Sequence, residues 1–193
     1  MFWSSGHPGL SEVCDLSYAM RLIDGYQPSS IAQAEEKHRV LRFCQKNTDA
    51  LFRTCKPGHL TASAIVVDHT RTKVLLHHHA KLNRWLQFGG HCDGDGNLPH
   101  VAWREAVEES GVAGLLIDAM IVDFDIHLIP EHGVEPEHLH LDARFVAEAP
   151  AGSIPQMSDE STALCWYSMD ELGLIDTDES VIRLARIALL KEG

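Results

Sequence analysis

The sequence predicts a mixed α/β (α+β) sandwich, with a mixed β-sheet between helices and a helical extension before it. The chain has 193 residues, of which 45% are apolar, so an ordinary hydrophobic core can form without a structural metal or disulfides. Helical periodicity dominates residues 8–58, and strand patterns begin at His59. Further along come one helix, more strands and a final helix, which is not a strict βαβ alternation. We therefore expect an extension over 1–58 packed on a main unit over 59–193.

In the extension the clearest predicted element is a helix that begins after Ser30, a residue type typical of helix N-caps. Apolar residues recur at helical spacing from Ile31 to Leu41. A short second helix is expected at 50–52, before Pro57-Gly58 interrupts the pattern. Nothing in this part of the chain suggests chemistry.

The main unit contains strand patterns separated by turn residues. The first two are expected to form a hairpin, and the third runs into Gly89-Gly90. Gly111 follows the first helix of this unit, where a left-handed C-cap residue belongs. We predict strands at 61–68, 73–78, 84–88, 115–128, 138–147 and 165–167, and helices at 100–110 and 178–191.

Charge and cysteine content narrow the class of protein. The formal net charge is −12, which disfavours a protein that coats nucleic acid. The densest basic run, 37–42, fits a solvated helix face. The 5 cysteines lack CxxC spacing, so neither a zinc ribbon nor a disulfide framework is supported. The sequence shows neither a signal peptide nor an apolar run long enough to cross a bilayer. We expect a soluble cytoplasmic protein with a small-molecule substrate and no nucleic-acid or membrane partner.

Three glutamates are the clearest candidates for functional residues. Glu105, Glu108 and Glu109 are spaced i, i+3 and i+4, so on a helix their carboxylates share a side. Repulsion between such neighbours costs about a few tenths of a kcal/mol per pair, and folding alone gives no reason to place them there. Mg²⁺ prefers oxygen ligands of this kind. The alternative is a solvated acidic helix face. The opposite side carries the apolar residues Trp103, Ala106 and Val107.

The surroundings of these glutamates resemble the signature of the Nudix hydrolase family (MutT-like), G-x5-E-x7-R-E-U-x-E-E-x-G-U, in which U is apolar. One position departs, because Gly96 stands where the family has its first glutamate. The likeness extends over about 59–175. The matching residues are Gly90, Arg104, Glu105, Ala106, Glu108, Glu109, Gly111 and Val112.

The resemblance implies hydrolysis of a nucleoside diphosphate linked to another moiety, or of another organic pyrophosphate, with Mg²⁺ or Mn²⁺. It implies that Glu105, Glu108 and Glu109 hold the metal, with the carbonyl of Gly89 as a further oxygen ligand. The base would be a helix glutamate or a loop carboxylate, for which Glu160 is the candidate; the alternative is that Glu160 is an exposed loop charge. Members of the family are often dimeric, so a homodimer is a possible assembly.

The Gly96 departure bears on activity. In related proteins the missing glutamate commonly braces the signature arginine, here Arg104. Asp93 and Asp95 lie in the same loop and are candidate substitutes. If neither substitutes, the chain is a catalytically weak or silent nucleotide-binding module of the same fold. An isomerase on this fold is a weaker reading, since no matching cysteine motif is present.

Histidine is unusually frequent, with 13 residues. His138, His140 and Asp142 alternate along a predicted strand and so share a face. Together with His91 and Asp93 they are candidates for an additional transition-metal site. The alternative is a set of substrate contacts and surface histidines.

Overall fold

The computed structural model describes residues 1–131, 133 and 136–190. Within these residues, nine strands form one mixed sheet. The strands are β1 (Phe2–Trp3), β2 (Gly58–Val67), β3 (Val74–His79), β4 (Arg84–Leu86), β5 (Phe88–His91), β6 (Leu116–Asp118), β7 (Asp123–Ile129), β8 (His138–Glu148) and β9 (Ser161–Tyr167). The helices are α1 (Leu16–Gly25), α2 (Ile31–Lys46), α3 (Leu98–Ser110), α4 (Met169–Leu172) and α5 (Glu179–Leu190).

Strand β2 is the centre of the sheet. It runs parallel to β8 along its whole length. On its other edge, the middle of β2 pairs with β5 and its end pairs with β3, both antiparallel. Strand β7 continues the sheet beyond β8, and β9 pairs with β3. This split edge places β5, and the glycines within it, beside the middle of β2.

Two apolar layers cover the two faces of the sheet. Alternation along β2 assigns Ala62 and Ala64 to the layer beneath α1, α2 and α3, and Ile65 and Val67 to the layer beneath α5. The predicted sandwich of a mixed sheet between helices is therefore confirmed. No helix of the described ranges combines the length and the apolar character that a membrane span requires.

The N-terminal helices pack onto the sheet and do not stand apart from it. The Ser30 side chain accepts a hydrogen bond from the backbone N–H of Gln33, which makes Ser30 the N-cap of α2 as predicted. The side-chain amide of Gln33 donates to buried Asp123 at 2.8 Å. The helix predicted at 50–52 is absent: these residues form turns and a bend, and the carbonyl of Ala50 accepts a hydrogen bond from the N–H of Leu60 in β2 instead of one from a following helical turn.

Two predicted strands are each divided in the structure. The pattern at 84–88 comprises β4 and β5, which pair with different partners, β3 and β2. The pattern at 115–128 comprises β6 and β7, both paired with β8. The first break is the single residue Gln87, and apolar residues continue through the second break at 119–122, so periodicity alone did not reveal either break. The predicted helix end at 191 lies outside the described residues. The sequence does not predict β1 or α4, and it predicts only general helical character, without separate bounds, where α1 lies.

Candidate active site

Helix α3 is held in one rotational position against β5. Its C-cap, Gly111, has φ 62° and ψ 11°, as the left-handed cap prediction requires. Ala106 is fully buried, Trp103 and Val107 pack against the core, and the indole N–H of Trp103 donates to the carbonyl of Leu115 at 3.1 Å. With this apolar side packed, the helix directs Glu105 and Glu109 toward β5.

Glu109 is the buried carboxyl group of the site. Its side chain is 6% exposed, and Oε2 accepts a hydrogen bond from the backbone N–H of Gly89 at 2.9 Å. Burial raises the pKa of Glu109 to about 8, against the opposing effect of the Gly89 hydrogen bond; the charges of Glu105 and Glu160 raise it further. Without a cation, the surroundings of Glu109 therefore favour its protonated form.

Glu105 lies against the glycine pair. A Cβ atom added at Gly90 would stand 2.6 Å from the Glu105 carboxyl carbon, so a larger residue there would push this carboxyl group out of its position. Burial raises the pKa of Glu105, although its bond from Arg104 Nη2, at 2.7 Å, acts in the opposite direction. Glu108 is exposed and lies close enough for its charge to raise the pKa of Glu105 and of Arg104.

Glu160 precedes β9 on an exposed loop, yet its carboxyl group lies near those of Glu105 and Glu109. Its charge raises the pKa of both Glu105 and Glu109, and a side-chain hydrogen bond between Glu160 and Glu109 favours the protonated form of Glu109. We call Glu105, Glu108, Glu109 and Glu160 the acidic cluster. Its members come from α3 and a distant loop, and they offer oxygen donors with one adjoining arginine. This donor set fits a hard divalent cation such as Mg²⁺ or Mn²⁺.

Gly96, the departure from the signature, is explained by the N-terminal extension. The backbone N–H of Gly96 donates to the carbonyl of Val13 at 2.7 Å. A Cβ atom at this position would overlap the carbonyl oxygen of Asp15. Backbone from the extension therefore runs where a side chain at position 96 would begin, and a glutamate cannot be accommodated without moving that segment.

Arg104, which the missing glutamate would brace, has other partners. Its Nη2 donates to Glu105 and, at 3.2 Å, to the carbonyl of His91. Asp93 instead forms a two-bond pair with Arg53, at 2.8 and 2.6 Å. Asp95 accepts from the N–H of Val13 at 3.0 Å and acts on the pKa of Arg104 as a more distant charge. Glu105 thus takes the place of the missing partner at Arg104.

We predict that Gly96→Glu lowers stability and does not raise activity. The added side chain must displace the Val13–Asp15 backbone, at a cost of about 1–3 kcal/mol of unfolding free energy, as in other overpacked sites. Urea denaturation measures this cost. Gly173→Glu is the control, because Gly173 has open space and ordinary helical φ. A Gly96→Glu protein as stable as the wild type and more active would contradict this account of Gly96.

The structure brings together only part of the predicted transition-metal set. His91, His138 and His140 lie in one group, together with His59, which the sequence reading did not name as a ligand. Asp93 is held by Arg53, as described above. The remaining candidate, Asp142, accepts hydrogen bonds from Thr61, Ser63 and Arg144.

A signal for His59 was present in the sequence. His59, Thr61 and Ser63 alternate as polar residues along β2, as His138, His140 and Asp142 do along β8. Parallel pairing of the two strands sets His59 opposite His140. Two polar stripes of this kind indicate a shared polar sheet face, but their register depends on pairing that local sequence does not specify.

Comparisons with known proteins show the family to which the chain belongs. The NUDIX domain family model matches residues 57–185. No curated protein sequence matches the chain. A NUDIX-family hydrolase from Clostridium perfringens is 28% identical, with 68% of this chain and 95% of that chain covered and a TM-score of 0.50.

Two further solved structures share the fold at lower identity. A C. elegans Ap4A hydrolase in a binary complex is 17% identical, covering 66% of this chain and 93% of that one, with a TM-score of 0.54. An E. coli dihydroneopterin triphosphate pyrophosphohydrolase is 16% identical, covering 66% and 92%, with a TM-score of 0.53. The family match and the hydrolase structures support the prediction that this chain is a pyrophosphohydrolase. Its segment from Gly90 to Val112 resembles the family signature, its fold is shared, and the family model spans most of the chain: the protein belongs to the Nudix family.

Proposed function

We propose that this protein cleaves a pyrophosphate bond in a nucleoside diphosphate-linked or other organic pyrophosphate, using Mg²⁺ or Mn²⁺ bound at the acidic cluster. The observation that carries the proposal is Glu109, a buried carboxyl group with a pKa of about 8 beside two further carboxyl groups. Burying acidic groups together is costly unless a cation neutralises them. A divalent cation supplies charge neutralisation on phosphate oxygens and a more acidic water.

The residues around the cation have separate roles in the proposed reaction. Glu105, Glu108 and Glu109 hold the cation, and the carbonyl of Gly89 adds an oxygen donor from β5. The Gly89 N–H fixes the position of Glu109, and Arg104 fixes that of Glu105. Glu160 is exposed on the solvent side of the cluster, so we assign its carboxylate the role of accepting a proton from the attacking water.

The second candidate is a nucleotide-binding module of the same fold with weak or no turnover. It is favoured by one observation, the loss of the signature glutamate at Gly96. The contact between Arg104 and Glu105 supports the enzyme instead, because it supplies a carboxylate partner for the arginine. The net charge of −12 favours a small-molecule substrate over nucleic acid. The scattered cysteines of the protein are consistent with the reducing environment of the cytoplasm, which we propose as its location.

A substrate panel tests the proposal. Purified protein is incubated with nucleoside diphosphate sugars, ADP-ribose, dinucleoside polyphosphates and nucleoside triphosphates, with Mg²⁺ or with EDTA, and the products are separated by chromatography. We expect Mg²⁺-dependent product from at least one class and none with EDTA. If ligands raise the melting temperature while none is cleaved, the binding module is the better account.

A further inference from the structure

Three histidines from three strands converge on the polar face of the sheet. His59 lies on β2, His91 on β5 and His140 on β8, and we call them the histidine cluster. The register pairs His59 with His140 directly and His91 with Thr61, which is two residues further along β2. One nitrogen from each ring lies within 4.8 Å of the other two. The ring centroids are 4.8 to 5.0 Å apart.

His59 is buried without the hydrogen-bond partners that a buried histidine normally has. It is 2% exposed, and neither Nδ1 nor Nε2 has a hydrogen-bond partner within the described residues. A buried polar atom without a partner costs about 1–3 kcal/mol. Such groups in native proteins usually mark a ligand, an ion or a role in function. His59 therefore points to an absent partner at the centre of the cluster.

The surroundings of His59 and His140 favour neutral imidazole. Burial lowers the pKa of His59 to about 4, and burial together with the neighbouring histidines lowers that of His140 to about 2. Neutral imidazole has the nitrogen lone pair that a metal ion needs.

His138 extends the cluster to a fourth ring. Its Nδ1 lies 2.8 Å from the carbonyl oxygen of Pro136, so Nδ1 carries the proton and donates it there. That bond leaves a lone pair on Nε2, which lies 3.3 Å from Nε2 of His140. Two nitrogens bound to one tetrahedral Zn²⁺ at about 2.0–2.1 Å are themselves about 3.3 Å apart. Carbonyl bonds of this kind commonly orient metal-binding histidines.

We propose that His59, His91 and His140 bind a transition-metal ion of the Zn²⁺ type, with His138 as the fourth ligand. The three ligand nitrogens lie within 4.8 Å of one another, and small side-chain rotations would bring each of them to bonding distance from the ion. A nitrogen donor set favours Zn²⁺, Co²⁺ or Ni²⁺ over Mg²⁺, whereas the oxygen donors of the acidic cluster favour Mg²⁺. The two clusters share no side chain, so this site is separate from the one proposed for hydrolysis.

Cobalt binding tests the proposal. The full-length protein is stripped with EDTA, dialysed and titrated with Co²⁺, whose visible absorption distinguishes tetrahedral from octahedral coordination. We expect one equivalent of Co²⁺ to produce the intense tetrahedral spectrum and Zn²⁺ to abolish it by displacement. His59→Ala and His91→Ala should each weaken Co²⁺ binding at least about 100-fold, beyond the usual cost of losing an outer-shell partner.

Two control variants separate this site from others. His69→Ala removes an exposed turn histidine and should leave the spectrum unchanged. Glu109→Gln should also leave it unchanged while impairing hydrolysis. Because His59 is buried, circular dichroism must confirm that its variant folds, and half-buried His91 provides an independent test. The proposal is overturned if no tetrahedral spectrum appears, if it persists in His91→Ala, or if it is lost in Glu109→Gln.

Discussion

Replacing Glu109 with glutamine is expected to reduce kcat/KM for Mg²⁺-dependent hydrolysis at least about 100-fold, since a ligand contributes more than the outer-shell partners whose loss costs roughly 10- to 100-fold. Glutamine has the same shape and retains an oxygen that can accept from the Gly89 N–H. It removes the negative charge that a divalent cation requires. Steady-state kinetics on the substrate identified by the panel measures the effect.

The same variant should remain fully folded. Without a divalent cation, the raised pKa of Glu109 keeps this buried group mostly protonated near neutral pH, so glutamine replaces one neutral side chain with another. Its melting temperature in EDTA should equal or exceed that of the wild type. Glu35→Gln, on the exposed side of α2, is the matched control and should leave both kinetics and melting unchanged. Unaltered kcat/KM in Glu109→Gln would exclude Glu109 as a metal ligand.

Arg144→Ala is expected to have the largest effect on stability, about 3–5 kcal/mol of unfolding free energy, because it breaks a buried ion-pair network. Arg144 is 2% exposed on β8. Its guanidinium lies 3.0 Å from Asp142 and 3.3 Å from Asp125, and donates to the carbonyl of Ser180 on α5 at 3.0 Å. It thus joins two strands to a helix. Removing it leaves buried carboxylates short of positive charge.

The unfolding free energy lost in Arg144→Ala should depend on pH. Although burial opposes it, the hydrogen bond with His127 and the charge of Arg144 lower the pKa of Asp125 to about 2. A carboxyl group with a lowered folded-state pKa stabilises the fold above about pH 4 and loses that contribution as the pH falls toward 2. The difference between wild type and Arg144→Ala should therefore narrow below about pH 4.

Urea denaturation measures the effect of Arg144→Ala. Arg186→Ala, an exposed arginine on α5, is the control and should change stability by no more than about 0.5 kcal/mol. Arg144→Lys should recover part of the loss, because lysine keeps the charge but not the planar fork that contacts several partners at once. Equal stability of Arg144→Ala and wild type would show that the network contributes nothing net.

Local patterns predicted the parts of the site that depend on local structure. Helix α3, its Gly111 cap and its apolar side follow from spacing alone. That spacing also placed Glu105, Glu108 and Glu109 on one side of the helix, yet it did not indicate which of them is buried. Packing against β5 buries Glu109 and leaves Glu108 exposed, and that packing joins segments that are distant in sequence.

Features that depend on long-range pairing escaped the sequence reading for the same reason. His59 meets His140 only through the register of β2 and β8, more than 80 residues apart in the chain. Gly96 appeared as a defect of the signature, whereas the path of Val13 to Asp15 explains it. Neither the register nor that path is encoded in a periodic pattern, since both arise from the packing of separate elements.

The most direct test of the account is a crystal structure of the protein with Mn²⁺, examined by anomalous diffraction. The account predicts a Mn²⁺ peak in direct contact with carboxylate oxygens of Glu105 and Glu109, beside the carbonyl of Gly89. It is contradicted if saturating Mn²⁺ leaves this position empty while Glu105 keeps only Arg104, and Glu109 only the Gly89 N–H, as partners.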